Sequence, residues 1–324
     1  MAEALRFHLL GSSQKFLQTC AYIEKVSKVD AAVLITGETG TGKEMAARAI
    51  HYYGARSNKP FIPVNCGAIP EALIESELFG HERGAFTDAK SASPGLVSEA
   101  DGGTLFLDEI DALSLKAQAA ILRFLQDNTY RRVGSCLQRQ ANVRIITASN
   151  ADFNHLITQR HFRSDLLYRI NVLTLHMPAL RDREGDALEL AQVFLKRFSH
   201  QYRLPTKFLH PDTVNHIVKY PWPGNIRELE NVIHREFLMC DTAQIQFGQY
   251  PAKQSVENLR VFKNAKANAI AEFEQAYLYK VLEQASGNLS EAARIAGQER
   301  SAFGKLARKY GITNFVPAEA EKEN

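Results

Sequence analysis

Four cysteines in 324 residues are too few for a disulfide framework. Cys20, Cys66, Cys136 and Cys240 lie far apart, without metal-ligand spacing, and read as reduced thiols of a cytosolic protein. No apolar stretch reaches the length that crosses a bilayer. Residues 1–10 have neither the basic start nor the long apolar core of a signal peptide. Excess charge is also missing. A net charge of +3 does not demand nucleic acid as a partner, so any basic patch must be local. What remains is an ordinary globular composition, 45% hydrophobic and 23% charged, in a chain long enough for two or three domains. The expectation is a soluble, cytoplasmic protein with no membrane association.

The chain is organised around Gly37, Glu38, Thr39, Gly40, Thr41, Gly42, Lys43 and Glu44. An apolar run, Ala31 to Ile35, reads as a buried strand before it, and Met45 to His51 reads as a helix after it. Strand, glycine-rich turn, Gly-Lys and helix is the setting of a phosphate-binding loop. The glycines let successive N–H groups face an anion, and Lys43 supplies a point charge at the helix N-terminus. Glu44 stands where Ser or Thr usually meets magnesium. A second motif, Gly102 to Glu109, reads as a buried parallel strand that delivers two carboxylates to its carboxyl end. Asp108 would orient magnesium through its water shell, and Glu109 would polarise an attacking water. Alternation along the strand should give the two acids different faces. Together the motifs predict an ATPase with ATP and magnesium as cofactors.

Around these motifs the pattern predicts a helix over Ser12 to Ser27 and a second strand ending at Asn65. Asn65 is either a turn former or a residue that holds Glu109 in a hydrogen bond broken by nucleotide. Gly84, Ala85, Phe86, Thr87, Asp88 and Ala89 form a loop ahead of the acidic strand. Phe86 has no run of apolar neighbours to bury it there, which favours contact with something outside the domain over folding back as an anchor. A strand over Val143 to Asn150 puts Thr147 and Asn150 near its end, where they either sense the terminal phosphate or form a simple turn. Arg163 and Arg169 lie outside both acidic and phosphate motifs. Helices over Gly185 to Tyr202, Pro211 to Tyr220 and from Asn225 onward, the last carrying Arg227 in its first turn, form a helical lid.

After a linker at 241–265 the chain becomes helical again. An amphipathic helix is expected over Ala269 to Gln284, with Phe273, Leu278, Val281 and Leu282 as its apolar set, ended by Gly287. Ser290 is expected to cap the next helix, and Gly297 makes a turn. A third, basic helix then runs from about Glu299 to Tyr310, closed by Gly311. This is the helix-turn-helix signature. Arg300 and Ser301 are placed to read base edges, while Lys305, Arg308 and Lys309 belong to the same basic face, the last two suited to phosphates. A three-helix packing module with a solvated basic face is the alternative.

These motifs resemble the bacterial sigma-54-dependent transcription activators, or enhancer-binding proteins, within the AAA+ ATPases. The resemblance runs from about Leu10 to Ile312. It implies an α/β AAA+ P-loop ATPase core with a parallel sheet at 1–180, a helical lid at 181–240, the linker, an all-α helix-turn-helix domain of the factor-for-inversion type at 266–316, and a disordered tail at 317–324. Glu in the position of Glu44 is normal in that family. Asn65 falls at its switch residue, Thr147 and Asn150 at the first sensor, and Arg227 at the second sensor. Arg163 and Arg169 match arginines that reach the neighbouring subunit's nucleotide. The implied partners are further copies of the chain (a ring hexamer when active, dimers when inactive), sigma-54 RNA polymerase holoenzyme and double-stranded enhancer DNA.

Two features depart from the family pattern. No receiver or ligand-sensing domain precedes Leu34, which implies a separate regulatory protein or a truncated chain. The sigma-contacting loop of the family reads Gly-Ala-Phe-Thr-Gly-Ala, whereas Asp88 stands at the fifth position here. Asp88 loses glycine's conformational freedom and adds negative charge at a contact surface. The expected function is activation through sigma-54, and the alternative is a DNA-binding regulator or repressor that never engages it.

Overall fold

The computed structural model describes residues 9–247, Glu274, Tyr277, Leu278, Val281, Leu282, Gln284, Ala285 and 288–310. The chain divides into two compact units, Met1–Phe247 and Gly248–Asn324. In the first, α1 (Gln14–Ser27), β1 (Val33–Thr36), α2 (Lys43–Tyr52), β2 (Phe61–Asn65), α3 (Ile74–Phe79), α4 (Leu96–Glu99) and β3 (Thr104–Asp108) follow in order. Next come α5 (Leu115–Asp127), β4 (Thr129–Arg131), β5 (Gln138–Gln140), β6 (Arg144–Ser149), α6 (Phe153–Thr158), α7 (Ser164–Ile170) and β7 (Leu173–His176). The lid is α8 (Asp186–Tyr202), β8 (Phe208–Leu209), α9 (Pro211–Lys219), α10 (Asn225–Met239) and β9 (Gln244–Ile245).

Five strands pair in the order β2-β3-β6-β1-β7, all parallel. Both faces are covered, so the inner strands are buried along nearly their whole length rather than alternating between buried and exposed. Strand alternation instead divides their side chains between two cores. Leu105 and Leu107 join the layer packed by α3, α5 and α7, while Phe106 joins the layer packed by α1 and α2. Pro63 is tolerated because β2 lies at the sheet edge. With β6 central and flanked by β3 and β1, the carboxyl ends of β1, β3 and β6 bring Gly37, Asp108 and Asn150 to one rim of the sheet. Ligands of open parallel sheets bind there.

The lid has its own core, which includes Leu190, Phe194, Phe198, Ile233 and Phe237 around buried Trp222. Trp222 Nε1 donates to the Ile217 carbonyl at 2.9 Å, closing α9 against the start of α10. A buried ion pair ties the lid to the chain ahead of α1. Arg183 and Asp186 are 1% and 0% exposed and 2.7 Å apart. Asp186 also accepts from the backbone N–H groups of Ser12 and Ser13, both at 2.8 Å, and Arg183 donates to the Leu10 carbonyl. The Arg183 guanidinium lies 3.7 Å from the centroid of the Phe16 ring.

In the second unit, Leu278, Val281, Leu282 and Ala285 pack with α11 (Leu289–Ile295) and α12 (Arg300–Lys309) through Ala292, Ala293 and Phe303. Asn288, not Ser290, caps α11. Its side chain accepts from the N–H groups of Ser290 and Glu291, which leaves Ser290 inside the first turn. The expectations for Phe273, Gly287, Gly311, the linker beyond residue 247 and the tail lie outside the described residues. Among the described residues, no helix is long and apolar enough to cross a membrane.

Candidate functional site

A cleft of about 490 Å³ opens at the sheet rim beneath the lid. Its polar lining includes residues 39–44, Asp108, Glu109, Asn150 and Arg227. Leu9, Leu10, Phe16, Val193, Phe194 and Ile226 line it as well. Sequence reasoning missed these apolar residues because they come from three separate segments and carry only ordinary core character.

Lys43 begins α2, with Nζ donating to the Gly37 carbonyl at 2.8 Å and the Glu38 carbonyl at 3.1 Å. Burial pulls its pKa down, and Asp108, Asp111 and Glu109 push it back up. Glu44 turns along α2 to pair with Arg48 at 2.7 Å. Gly40 has φ of 79°, and a Cβ there would stand 2.3 Å from the Gly224 carbonyl oxygen, so only glycine lets loop and lid approach this closely.

Asp108 ends β3, half-buried, and burial pushes its carboxyl pKa up while the Glu109 N–H and Lys43 pull it down. The Glu109 N–H donates to Asp108 Oδ1 at 3.0 Å. Glu109 itself is not on the strand. It takes a left-handed backbone, φ 53° and ψ 48°, and heads a short 3₁₀ turn at Ile110–Ala112. A tight turn, rather than strand alternation, therefore separates the two carboxylates. A non-glycine residue in that region is uncommon, and such geometry is retained where function uses it.

Asn65 takes the turn-former arrangement. Its Oδ1 accepts from the N–H groups of Gly67 and Ala68 at 2.9 and 3.1 Å, and no hydrogen bond joins it to Glu109 among the described residues. Gly67 is a neighbour the motifs did not reveal. A Cβ on it would stand 2.3 Å from Glu109 Oε2, so the acid lies against bare backbone. Beside this turn Cys66 is buried, its thiol pushed up to about 12, chiefly by burial.

Thr147 requires a correction. It is fully buried within central strand β6, with its hydroxyl 3.4 Å from the Val33 carbonyl, so it cannot face a phosphate. Ser149 and Asn150, further along, line the cleft instead. Asn150 Nδ2 donates to Thr39 Oγ1 at 2.9 Å, and Ser149 Oγ donates to Asp111. Arg227 reaches the cleft from the first turn of α10. Arg163 and Arg169 do not line it. Both are exposed, Arg163 paired with Asp165 at 2.7 Å and Arg169 donating to the Leu125 carbonyl.

The loop from Gly84 to Ala89 is closed by the Gly84 N–H donating to the Ala89 carbonyl at 2.9 Å. Phe86 is half-buried, 5.0 Å from the His81 ring in an edge contact, and stands outside the core. It is held back in this conformation rather than extended. Asp88 is exposed. In the second unit Arg300, Ser301, Lys305, Arg308 and Lys309 are all exposed. Lys309 is not free, since Glu274 pairs with it at 3.1 Å.

The Sigma-54 interaction domain profile matches residues 9–176, and the AAA+ ATPase lid domain profile matches 181–266. The chain belongs to the sigma-54 interaction domain family. This family assignment makes the sheet, loop and lid the core of an AAA+ P-loop ATPase fold. The chain is 42% identical over 293 residues to the alginate biosynthesis transcriptional regulatory protein AlgB of Pseudomonas putida, covering 89% of itself and 64% of that relative. It thus spans a little under two thirds of AlgB. It is 44% identical over 274 residues to the sigma54-dependent transcriptional activator SfnR of Pseudomonas putida, covering 84% of itself and 74% of SfnR. The crystal structure of NtrX from Brucella abortus in complex with ATP matches with a TM-score of 0.74 and 32% identity, over 94% of this chain and 69% of NtrX.

Proposed function

We propose that the chain hydrolyses ATP and uses the energy to remodel sigma-54 RNA polymerase holoenzyme, from upstream DNA held by its second unit. One observation carries this reading. Lys43, Asp108, Glu109 and Arg227 converge in a single cleft that is also lined by the apolar side chains of Phe16, Phe194 and Ile226, which suits a molecule with a triphosphate and a flat base. The relative NtrX, solved with ATP, supports it.

In this reading the phosphate loop and Lys43 hold the phosphates, and the base lies against Phe16, Phe194 and Ile226. Glu109 orients the attacking water, and Arg227 draws the lid onto the phosphates. Phosphoryl transfer asks the protein mainly for position and charge, which this set supplies. Magnesium suits the donor chemistry, since it takes one or two carboxylates together with phosphate oxygens and water. Asp108 would hold it through a water, and its charge would neutralise that building on the phosphates. Arg163 and Arg169, exposed and away from their own cleft, serve the neighbouring copy's site in a ring, which we take to be a hexamer assembled from inactive dimers. A separate regulatory protein controls that assembly. Phe86 and Thr87 contact sigma-54 once the loop extends. Arg300 and Ser301 read bases, while Lys305 and Arg308 bind phosphates.

Trapping the protein with ADP and aluminium fluoride tests the reading. A stable complex with sigma-54 is expected, lost in Phe86→Ala although that variant still hydrolyses ATP. A second reading, a DNA-binding regulator that does not engage sigma-54, draws on the exposed carboxylate of Asp88 at the contact loop. It replaces the first if the unmodified chain forms no complex and Asp88→Gly restores one.

A further inference from the structure

Three consecutive residues of the phosphate loop are bonded to the lid or to the segment leading into it. The Glu38 carboxylate takes two hydrogen bonds from Arg181, at 2.5 and 2.8 Å, and one from Asn225 Nδ2 at 3.1 Å. Asn225 Nδ2 also lies 3.0 Å from the Thr39 carbonyl, and the Ile226 N–H donates to the Gly40 carbonyl at 3.0 Å. Asn225 is fully buried and left-handed, φ 53°, and its Oδ1 accepts from the Leu180 N–H at 2.8 Å. One amide side chain therefore joins three segments: the loop, the entry to the lid, and the first turn of α10.

Glu38 occupies a particular place among these bonds. Its carbonyl accepts from Lys43 Nζ and from Thr41 Oγ1, while its carboxylate is held by the lid side. Lys43 cannot move toward an incoming phosphate without leaving the Glu38 peptide. That peptide is fastened, two bonds on, to the residue that precedes Ile226 and Arg227. We infer that Glu38, Arg181 and Asn225 form a strap that transmits phosphate binding at Lys43 to the position of the lid and of Arg227. They are positioning residues, and the inference rests on the nucleotide-binding reading given above. The chemistry is direct: a charged hydrogen bond at the surface and an amide in the interior link two bodies that must move together.

Amide hydrogen exchange with and without ADP tests the strap apart from catalysis. In the unmodified chain, ADP should slow exchange in both α2 and the first turn of α10. In Arg181→Ala, protection of α2 should remain while protection of α10 falls by at least half, and the dissociation constant for ADP should rise about tenfold. Arg181→Lys, which keeps the ion pair, should restore most of the α10 protection. Asn225→Ala should act in the same direction as Arg181→Ala, with the surface Arg181 variants deciding the matter should Asn225→Ala fail to fold. Equal protection of α10 in Arg181→Ala and the unmodified chain would overturn the strap. Absence of ADP protection at α2 in the unmodified chain would instead overturn the nucleotide-binding reading itself.

Discussion

Glu109 shows how a single backbone angle can organise a site. Its left-handed φ of 53° turns the carboxylate off β3 and lays it against Gly67. Gly67→Ala would place a methyl group 2.3 Å from Glu109 Oε2, so the acid must swing away. Hydrolysis should then fall about 100-fold, ~2.7 kcal/mol of barrier, while ADP binding by calorimetry stays within about twofold. The motif Asp108-Glu109 was legible in the sequence, but Gly67 was not, because a contact between residues 42 apart leaves no trace in spacing. Glu38 carries a pH signature. Hydrogen bonds from Arg181 and Asn225 hold its carboxyl pKa at about 2, below its ordinary 4.5. A depressed carboxyl stabilises the fold above the unfolded pKa, and that contribution disappears as pH falls through the folded one. The stability gap between the unmodified chain and Glu38→Gln, from urea titrations, should therefore shrink steadily from pH 5 to pH 2. Glu38 is partly exposed, so solvent screening keeps the gap small.

At the scale of elements, α7 sets Arg163 just ahead of its first turn and Arg169 in its last, with Tyr168 beside it 81% exposed. Neither arginine lines the cleft of its own subunit, which is what action on a neighbour requires. Arg163→Ala and Glu109→Gln proteins, each inactive alone, should regain part of the hydrolysis when mixed, because some interfaces then pair an intact arginine with an intact glutamate. Continued inactivity of mixtures that assemble normally would refute the assignment. Elements were the most legible level of the sequence. The apolar run before Gly37, the helix after it and the lid helices all stand within a few residues of their expected bounds. Thr147 was misread because strand ends were judged from polarity, whereas pairing with β1 on one side and β3 on the other sinks it into the sheet. The capping of α11 was misjudged by two residues for a related reason, since Asn288 and Ser290 are both good caps and only backbone geometry selects one. In α12, Arg308→Ala should weaken binding to every DNA sequence and flatten its salt dependence by about one ion, whereas Arg300→Ala should relax sequence preference.

For the whole molecule, the proposal that arginines of one copy complete the site of the next makes activity a property of assembly. Hydrolysis per subunit should rise steeply with protein concentration and fall on dilution, in parallel with ring formation measured by light scattering. A constant specific activity across that range would mean that each subunit works alone. The chain divides after Phe247, and the sequence changes composition near residue 241. The closeness of lid and phosphate loop was not legible in the sequence, since it depends on Gly40 and Gly224 meeting across more than half the chain.

The Arg183–Asp186 pair has a practical consequence for anyone shortening this protein. The residues before α1 look dispensable, yet Leu10, Ser12 and Ser13 supply the backbone partners of two buried charges. A chain trimmed to start at Gln14 would leave those charges partly unsatisfied and the lid loosely rooted. Such trimming should lower the melting temperature and favour aggregation during expression.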